Sequence, residues 1–183
     1  MLIRLELPHR YEVEVVQGSA ATGDPEAYSF RPANAASCDH DVQLLRFRPQ
    51  NAAAWAGSFA SGNVDKTAPS MVLSSPDPLT VFVVAAGDGY SVRVDAPQTW
   101  QMLPVSPVLF VEVLPERTMV VLGSANALAV YDPKGLCWFR RVVDNELKLQ
   151  SIAAGRITFS GMDRANGKSV SLSAELDTGK EIA

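Results

Sequence analysis

Four adjacent residues, Cys38-Asp39-His40-Asp41, are the densest group of chemistry-bearing side chains in the chain. A zinc centre needs about four converging ligands, most often Cys and His. Alternate residues of an extended segment share a side, so Cys38 can converge with His40, and Asp39 with Asp41. Further ligands would have to come from afar, and the only other histidine is His9. The group therefore reads as a solvated polar loop, with Asp39, His40 and Asp41 kept as binding candidates and no metal assigned. The same scarcity limits nucleophilic catalysis, which needs a His base between a Ser or Cys and a carboxylate. His9 follows Pro8 in an expected turn, and no Gly-x-Ser-x-Gly elbow occurs. No catalytic residue is assigned.

Phosphate-cradling loops are also missing: neither Gly-x-x-x-x-Gly-Lys-Ser/Thr nor a Gly-x-Gly-x-x-Gly between strand and helix occurs. Gly87-Asp88-Gly89 leads into YSVRVDAP, which is a strand pattern, so it reads as a hairpin turn. No cofactor is expected. Asp144, Glu146 and Asp163 lie at expected turns, and a carboxylate pair there could serve a hydrolase, although exposed turn acids are the plainer reading. Of the tryptophans, Trp100 lies five residues after Asp95 and Trp138 six after Asp132, which suits two core aromatics between repeated units. Trp55 stands outside that pattern, beside Phe59 and small residues. Trp55 and Phe59 are therefore candidates for a binding anchor.

These residues need a scaffold, and 183 residues at 47% hydrophobic and 20% charged can bury one core. A single domain over 1–183 is expected, with an irregular half at 1–80 and repeated β units at 81–183. The formal charge of −4 offers no basic face for nucleic acid. Two cysteines do not make a disulfide scaffold, and Cys137 sits in an apolar strand as a small hydrophobe. The start, MLIRLELPHRYEVEV, alternates like a strand rather than a signal peptide. No apolar run reaches the roughly 18–20 residues of a membrane span, so a cytoplasmic protein is expected.

Leu2–Leu7 and Tyr11–Val16 alternate and suggest two strands, paired as a hairpin. Gln17–Asn34 reads as a long loop and Asp41–Phe47 as a strand. The three alanines in Pro49–Ala60 favour a short helix capped by Asn51. Ser61–Pro78 reads as a loop with one brief strand at Met71–Leu73. From Thr80 onward nine strands are expected, between Val81–Ala85 and Ser169–Leu176, separated by Gly, Asp, Asn and Pro. Asn166-Gly167 suits a type I′ hairpin. Asp132-Pro133-Lys134-Gly135 and Asp177-Thr178-Gly179 suit turns in which Asp accepts backbone N–H bonds.

A strand–turn–strand–Asp pattern recurs here: Asp132 lies 37 residues after Asp95, and Asp177 lies 45 after Asp132. Periods near 40 residues with several strands belong to propellers and stacked β arrays. The most complete four-strand set is Cys137–Val143, Leu147–Ile152, Arg156–Phe159 and Ser169–Leu176. The segments AVYDPKGLCWFRR and SAELDTGKEI resemble the blade ends of bacterial quinoprotein-type β-propeller repeats, although no aromatic follows Gly179. Trp55–Val94 resembles small bacterial β-proteins of unassigned function. The resemblance implies an all-β fold and a bacterial origin; no quinone-ligand constellation matches.

The expected fold is thus all-β, with mainly antiparallel stacked sheets, propeller-like or sandwich-like, and at most one short helix. The expected function is a non-catalytic protein-binding or scaffold module, with an immunity or inhibitor role as a variant. Its expected partner is a protein, with neither nucleic acid nor membrane. The alternatives are a hydrolase using loop carboxylates at one end of the β-fold, with at least two of Asp39, Asp41, Asp144, Glu146 and Asp163 in one cleft, and a small-ligand binder with Gln17–Asn34 as a lid over Trp55.

Overall fold

The two most apolar segments, Thr80–Ala85 (TVFVVA) and Met119–Gly123 (MVVLG), are strands buried along their whole length. A strand with two buried faces needs a sheet packed on each side, and that requirement organises the molecule. The structure, a computed structural model, describes residues 1–17, 26–32, 42–62, 68–163, 165 and 167–182.

Among these residues the chain starts with β1 (Leu2–Arg4) and then forms sheet I from β2 (Tyr11–Val15), β3 (Ala27–Phe30), β4 (Val42–Pro49) and β5 (Trp55–Ala60). Sheet II follows, with β6 (Met71–Ser74), β7 (Thr80–Ala85), β8 (Asp88–Arg93) and β9 (Gln101–Met102). Sheet III holds β10 (Phe110–Leu114), β11 (Met119–Gly123), β12 (Ala127–Asp132) and β13 (Gly135–Arg141). Sheet IV holds β14 (Asn145–Ala153), β15 (Arg156–Asp163), β16 (Lys168–Glu175) and β17 (Glu181–Ile182). The only helical turns among the described residues are two single 3-10 turns, Pro97–Thr99 and Pro115–Arg117. No helix among them is long and apolar enough to cross a membrane.

Sheets III and IV are antiparallel meanders in chain order. Sheet I has the order β2-β4-β5-β3, with β3 parallel to β5. Sheet II has the order β1-β6-β7-β8-β9, with β1 parallel to β6. Therefore β1 and β2 do not form the expected hairpin: β1 belongs to sheet II and β2 pairs with β4 in sheet I.

The sheets stack in the order I, II, III, IV. Along β7, Val81, Val83 and Ala85 face sheet I, while Phe82 and Val84 face sheet III. Along β11, Val120 and Leu122 face sheet II, while Met119 and Val121 face sheet IV. Three apolar cores result, one per interface, and none among the described residues joins sheet IV back to sheet I. The outer faces are polar. On sheet I, Glu14 pairs with Arg46 at 2.7 Å and with Arg48 at 2.9 Å. On sheet IV, Thr158 lies opposite Ser173 and Ser160 opposite Ser171. Polar ends are what stop a stacked array from continuing.

Turn chemistry sets the hairpins. Ala86-Gly87 joins β7 to β8 and Ala154-Gly155 joins β14 to β15, with φ of 46° and 90°, and 50° and 73°. Both are two-residue turns with positive φ at each centre, the form that matches strand twist. The recurring aspartates each follow the third strand of a four-strand meander: Asp95 after β8, Asp132 closing β12, Asp177 after β16. Asp132 accepts the Lys134 N–H at 2.7 Å, as a turn Asp should. Asp177 differs, because its carboxylate accepts from Arg117 of sheet III at 2.7 and 2.9 Å.

The short helix expected in Pro49–Ala60 is replaced by a turn and β5. Pairing β5 between β4 and β3 buries Trp55 and Phe59, and that gain outweighs the helix preference of three alanines. β3 likewise occupies part of the expected loop at Gln17–Asn34. The strand grouping also shifts by one: β13 completes sheet III by pairing with β12, rather than opening sheet IV.

Candidate functional site

Trp55 and Phe59 are core residues, with relative exposures of 2% and 0%. Trp55 stacks on Phe47 at 4.3 Å and meets Tyr28 edge-on at 5.6 Å, while Phe59 stacks on Phe30 at 4.4 Å. Neither offers area to a partner, so the binding-anchor expectation is corrected to core packing. Alternation along β5 sends Trp55 and Phe59 to the same side, toward sheet II. Asp39, His40 and Asp41, with Cys38, lie outside the described residues. Among the described residues no group of three or more His, Cys, Asp or Glu could hold a metal ion.

Trp55 has a counterpart that its place in the sequence conceals. Its indole N–H donates across the interface to the Val94 carbonyl at 2.9 Å, and the Trp138 indole donates to the Leu176 carbonyl at 2.7 Å. Each acceptor directly precedes a recurring aspartate, Asp95 or Asp177. The spacings of 39 and 38 residues are the signal that could have found the pair. Trp100 is half-buried in the core between sheets I and II, against Phe30 and Tyr90 at 5.8 Å each.

Among the described residues, open grooves lie between sheets III and IV. One, of about 590 Å³, separates β10 from β14, with Phe110, Leu114, Leu147, Leu149 and Ile152 as its apolar walls and Glu112 and Lys148 beside them. A second, of about 410 Å³, lies where β13 hands over to β14. Val142, Val143, Val170 and Leu172 line it, with Arg141, Asp144 and Asp163 around the rim. Arg141, Val142 and Leu172 also border a third hollow of about 120 Å³ beside Gly179 and Glu181. The second and third are thus one discontinuous trough along β16. Arg140 donates to the Gly179 carbonyl beneath it.

Of the five candidate carboxylates, Asp144 and Asp163 share the second groove, held near each other where the Asp144 N–H donates to the Met162 carbonyl. Glu146 lines a different hollow of about 90 Å³ with Lys148, Ser160 and Met162. Among the described residues every buried side-chain polar atom has a hydrogen-bond partner. The Cys137 thiol is pushed up to about 11 by burial and then by the Asp132 carboxylate, so it stays protonated at neutral pH. Burial also raises the Asp88 carboxyl above its usual range, against a weak bond from Ser106 at 3.3 Å.

The grooves are therefore apolar-floored, charged at the rim and open to solvent, a form suited to taking another chain's side chains. No protein-family model matches the chain, and no curated protein matches its sequence.

Proposed function

We propose that this chain is a non-catalytic protein-binding module of a bacterial cytoplasm, docking a protein partner along the interface between sheets III and IV. The observation that carries the reading is the pair of apolar-floored grooves that the described residues form on that interface, beside strands whose outer edges carry no neighbour among the described residues. The interface between sheets I and II, by contrast, is filled with aromatic side chains. The likeness of Ala129–Arg141 and Ser173–Ile182 to propeller blade ends belongs to the same reading, with sheets III and IV as blades of a short open array. Inhibition of a partner by occupying its site is the narrower form, consistent with the net charge of −4.

The test is site-specific photo-crosslinking in bacterial cells. A benzophenone side chain at Leu149, in the β10–β14 groove, or at Val170, in the β13–β14 groove, is expected to capture a partner that the same group at Ser29 of sheet I does not. Capture that is equal at all three positions, or nil at the first two, would overturn the reading.

Asp144 and Asp163 in one groove favour a second reading, the carboxylate hydrolase. It requires that Asp144→Asn and Asp163→Asn each abolish an activity found by screening glycoside substrates. An inactive wild type removes it.

A further inference from the structure

Sheets III and IV leave their first strands, β10 and β14, without an outer neighbour among the described residues. Both lie at the opposite edge of their sheets from β13 and β17. The groove of about 590 Å³ runs between them. Side chains alternate along β10. Val111 and Val113 are buried toward sheet II, while Phe110, Glu112 and Leu114 face the groove. Phe110 and Leu114 are half-buried against the core between sheets III and IV, and Glu112 between them is exposed.

The direction of the β10 backbone follows from the neighbouring ladder. Ser124 N–H donates to the Ala127 carbonyl at 2.9 Å, so Ser124 faces β12. Peptide groups in an antiparallel strand alternate in direction, so Leu122 and Val120 face β12 as well, whereas Gly123, Val121 and Met119 face β10. Their partners Phe110, Glu112 and Leu114 therefore direct their backbone groups at β11. The N–H and C=O groups of Val111 and Val113 point outward, where no strand among the described residues pairs with them. One edge thus offers backbone bonds, an apolar groove and a carboxylate together.

We propose that β10 is a strand-addition site: an extended segment of a partner protein pairs antiparallel with Phe110–Leu114 and lays alternate side chains in the groove, in the pattern apolar–x–basic–x–apolar. The inference rests on the protein-binding reading above and names the form of the partner. The outward groups of Val111 and Val113 select a strand, and the groove supplies the side-chain preference. Antiparallel pairing extends the meander of sheet III and is the more stable kind. Glu112 sets the charge. It stands opposite the segment's central residue in a pair without mutual hydrogen bonds, where side chains come closest. Opposite charges across such a pair attract. The apolar residues on either side meet Leu114 and Phe110, with Leu147, Leu149 and Ile152 as the far wall. Neither Glu112 nor Lys148 makes an ion pair or hydrogen bond through its side chain among the described residues. Lys148, on the far side, disfavours a segment that is basic throughout. A second copy is disfavoured too. Two β10 strands paired along their whole length set Glu112 against Glu112, and like charges directly opposite repel.

The probe is a displayed library of random nine-residue peptides panned on the full chain, with the best binder remade as a synthetic peptide. Enriched sequences are expected to carry Lys or Arg between apolar residues two places away on each side. Bound peptide is expected to slow amide exchange at Val111 and Val113. Glu112→Lys is expected to weaken binding about fivefold, and a peptide with Glu at its central position is expected to recover that loss on the variant. Because Glu112 is exposed, the substitution leaves the core intact. N-methylation of a peptide amide facing Val111 or Val113 is expected to weaken binding to the unaltered chain about tenfold. Enrichment of no peptide, or of peptides indifferent to either change, would overturn the proposal. Self-association of the free chain that slows exchange at Val111 and Val113 would make the occupant a second copy and overturn it as well. A partner crosslinked from Leu149 that binds Glu112→Lys unchanged, with exchange at Val111 and Val113 unslowed, would sink the edge while leaving the protein-binding reading standing. An absence of partner and peptide alike removes both.

Discussion

Trp55 and Trp138 each send an indole N–H across a sheet interface to a backbone carbonyl that precedes an aspartate, yet the two interfaces around them are filled differently. Between sheets I and II, Trp55 meets Tyr28, Phe30 and Phe47 at ring-centroid distances of 4.3–5.9 Å, in a core that also holds Phe59 and Tyr90. Between sheets III and IV, Trp138 belongs to a core made largely of Val, Leu and Ile, and that interface opens into grooves. The same tether thus holds a closed wall at one end of the stack and a grooved one at the other.

The largest test of that contrast is deletion of each tether. Trp55→Ala is expected to destabilise the protein by about 3–5 kcal/mol, the usual range for emptying an aromatic site in a closed core. Trp138→Ala is expected to cost less, because its site lies beside grooves that water and neighbouring side chains can enter. Urea denaturation of both variants checks the order, and equal losses would break the comparison.

Glycine close approaches sharpen it next. A Cβ at Gly57 would meet Phe30, Phe59 and Trp55 at 2.8–3.0 Å, inside the closed aromatic core. A Cβ at Gly123 would overlap Phe110 far more, at 1.9 Å, but it meets the tip of a ring that borders the β10–β14 groove. Gly57→Ala is expected to cost about 1–3 kcal/mol, the range for overpacking. Gly123→Ala is expected to cost less than Gly57→Ala, as the Phe110 ring swings into the groove. Thermal melts of the pair decide whether room to move or nominal overlap controls the outcome.

Acid is expected to act on the sheet I–II half through Asp95. Arg93 donates to Asp95 at 3.1 and 2.9 Å and holds its carboxyl below the usual range. A carboxyl lowered on folding adds stability above its unfolded value of about 3.9 and loses it as pH falls through the folded value. Asp95→Asn should therefore flatten the fall in Tm between about pH 5 and pH 2, by a small amount because the pair is exposed. Asp88 carries the opposite sign: its raised carboxyl opposes folding once ionised, so Asp88→Asn should raise Tm at neutral pH and lose that advantage in acid.

The smallest effect is chemical. In a Cys38→Ser background, Cys137 is expected to react with iodoacetamide at pH 8 at least tenfold more slowly than a free thiol of pKa about 8.5. Reaction at the free-thiol rate would show a site beside Trp138 more open than its grooves imply.

Most strands after Thr80 were legible because alternation and turn residues coincide there, but Gln101–Met102 and Glu181–Ile182, at two residues each, are too short to show a pattern. β3 and β5 were not legible either, since an Ala-rich segment and a Ser-containing loop become strands only when β4 offers them an edge. Partner choice was equally hidden. Cys137–Arg141 reads as a strand in isolation, but nothing in it says whether β12 or β14 lies alongside. The Ala154-Gly155 turn escaped notice because Ala is an unusual first residue at positive φ. The grooves escaped because they form between strands of different sheets, as where Phe110 and Leu114 face Leu147, Leu149 and Ile152, which no short motif encodes. Trp55 looked like an anchor for want of its acceptor, Val94, which lies 39 residues away.

The chain's first strand lies in sheet II, parallel to β6, and all of sheet I is threaded between them. Force applied between Leu2 and Ile182 would therefore enter at β1, pass through sheets II and III, and leave by β17. Sheet I hangs outside that line as a loop of chain pinned at its neck. It would carry no tension until β1 peels from β6, and only then would its residues add contour length to the stretched molecule.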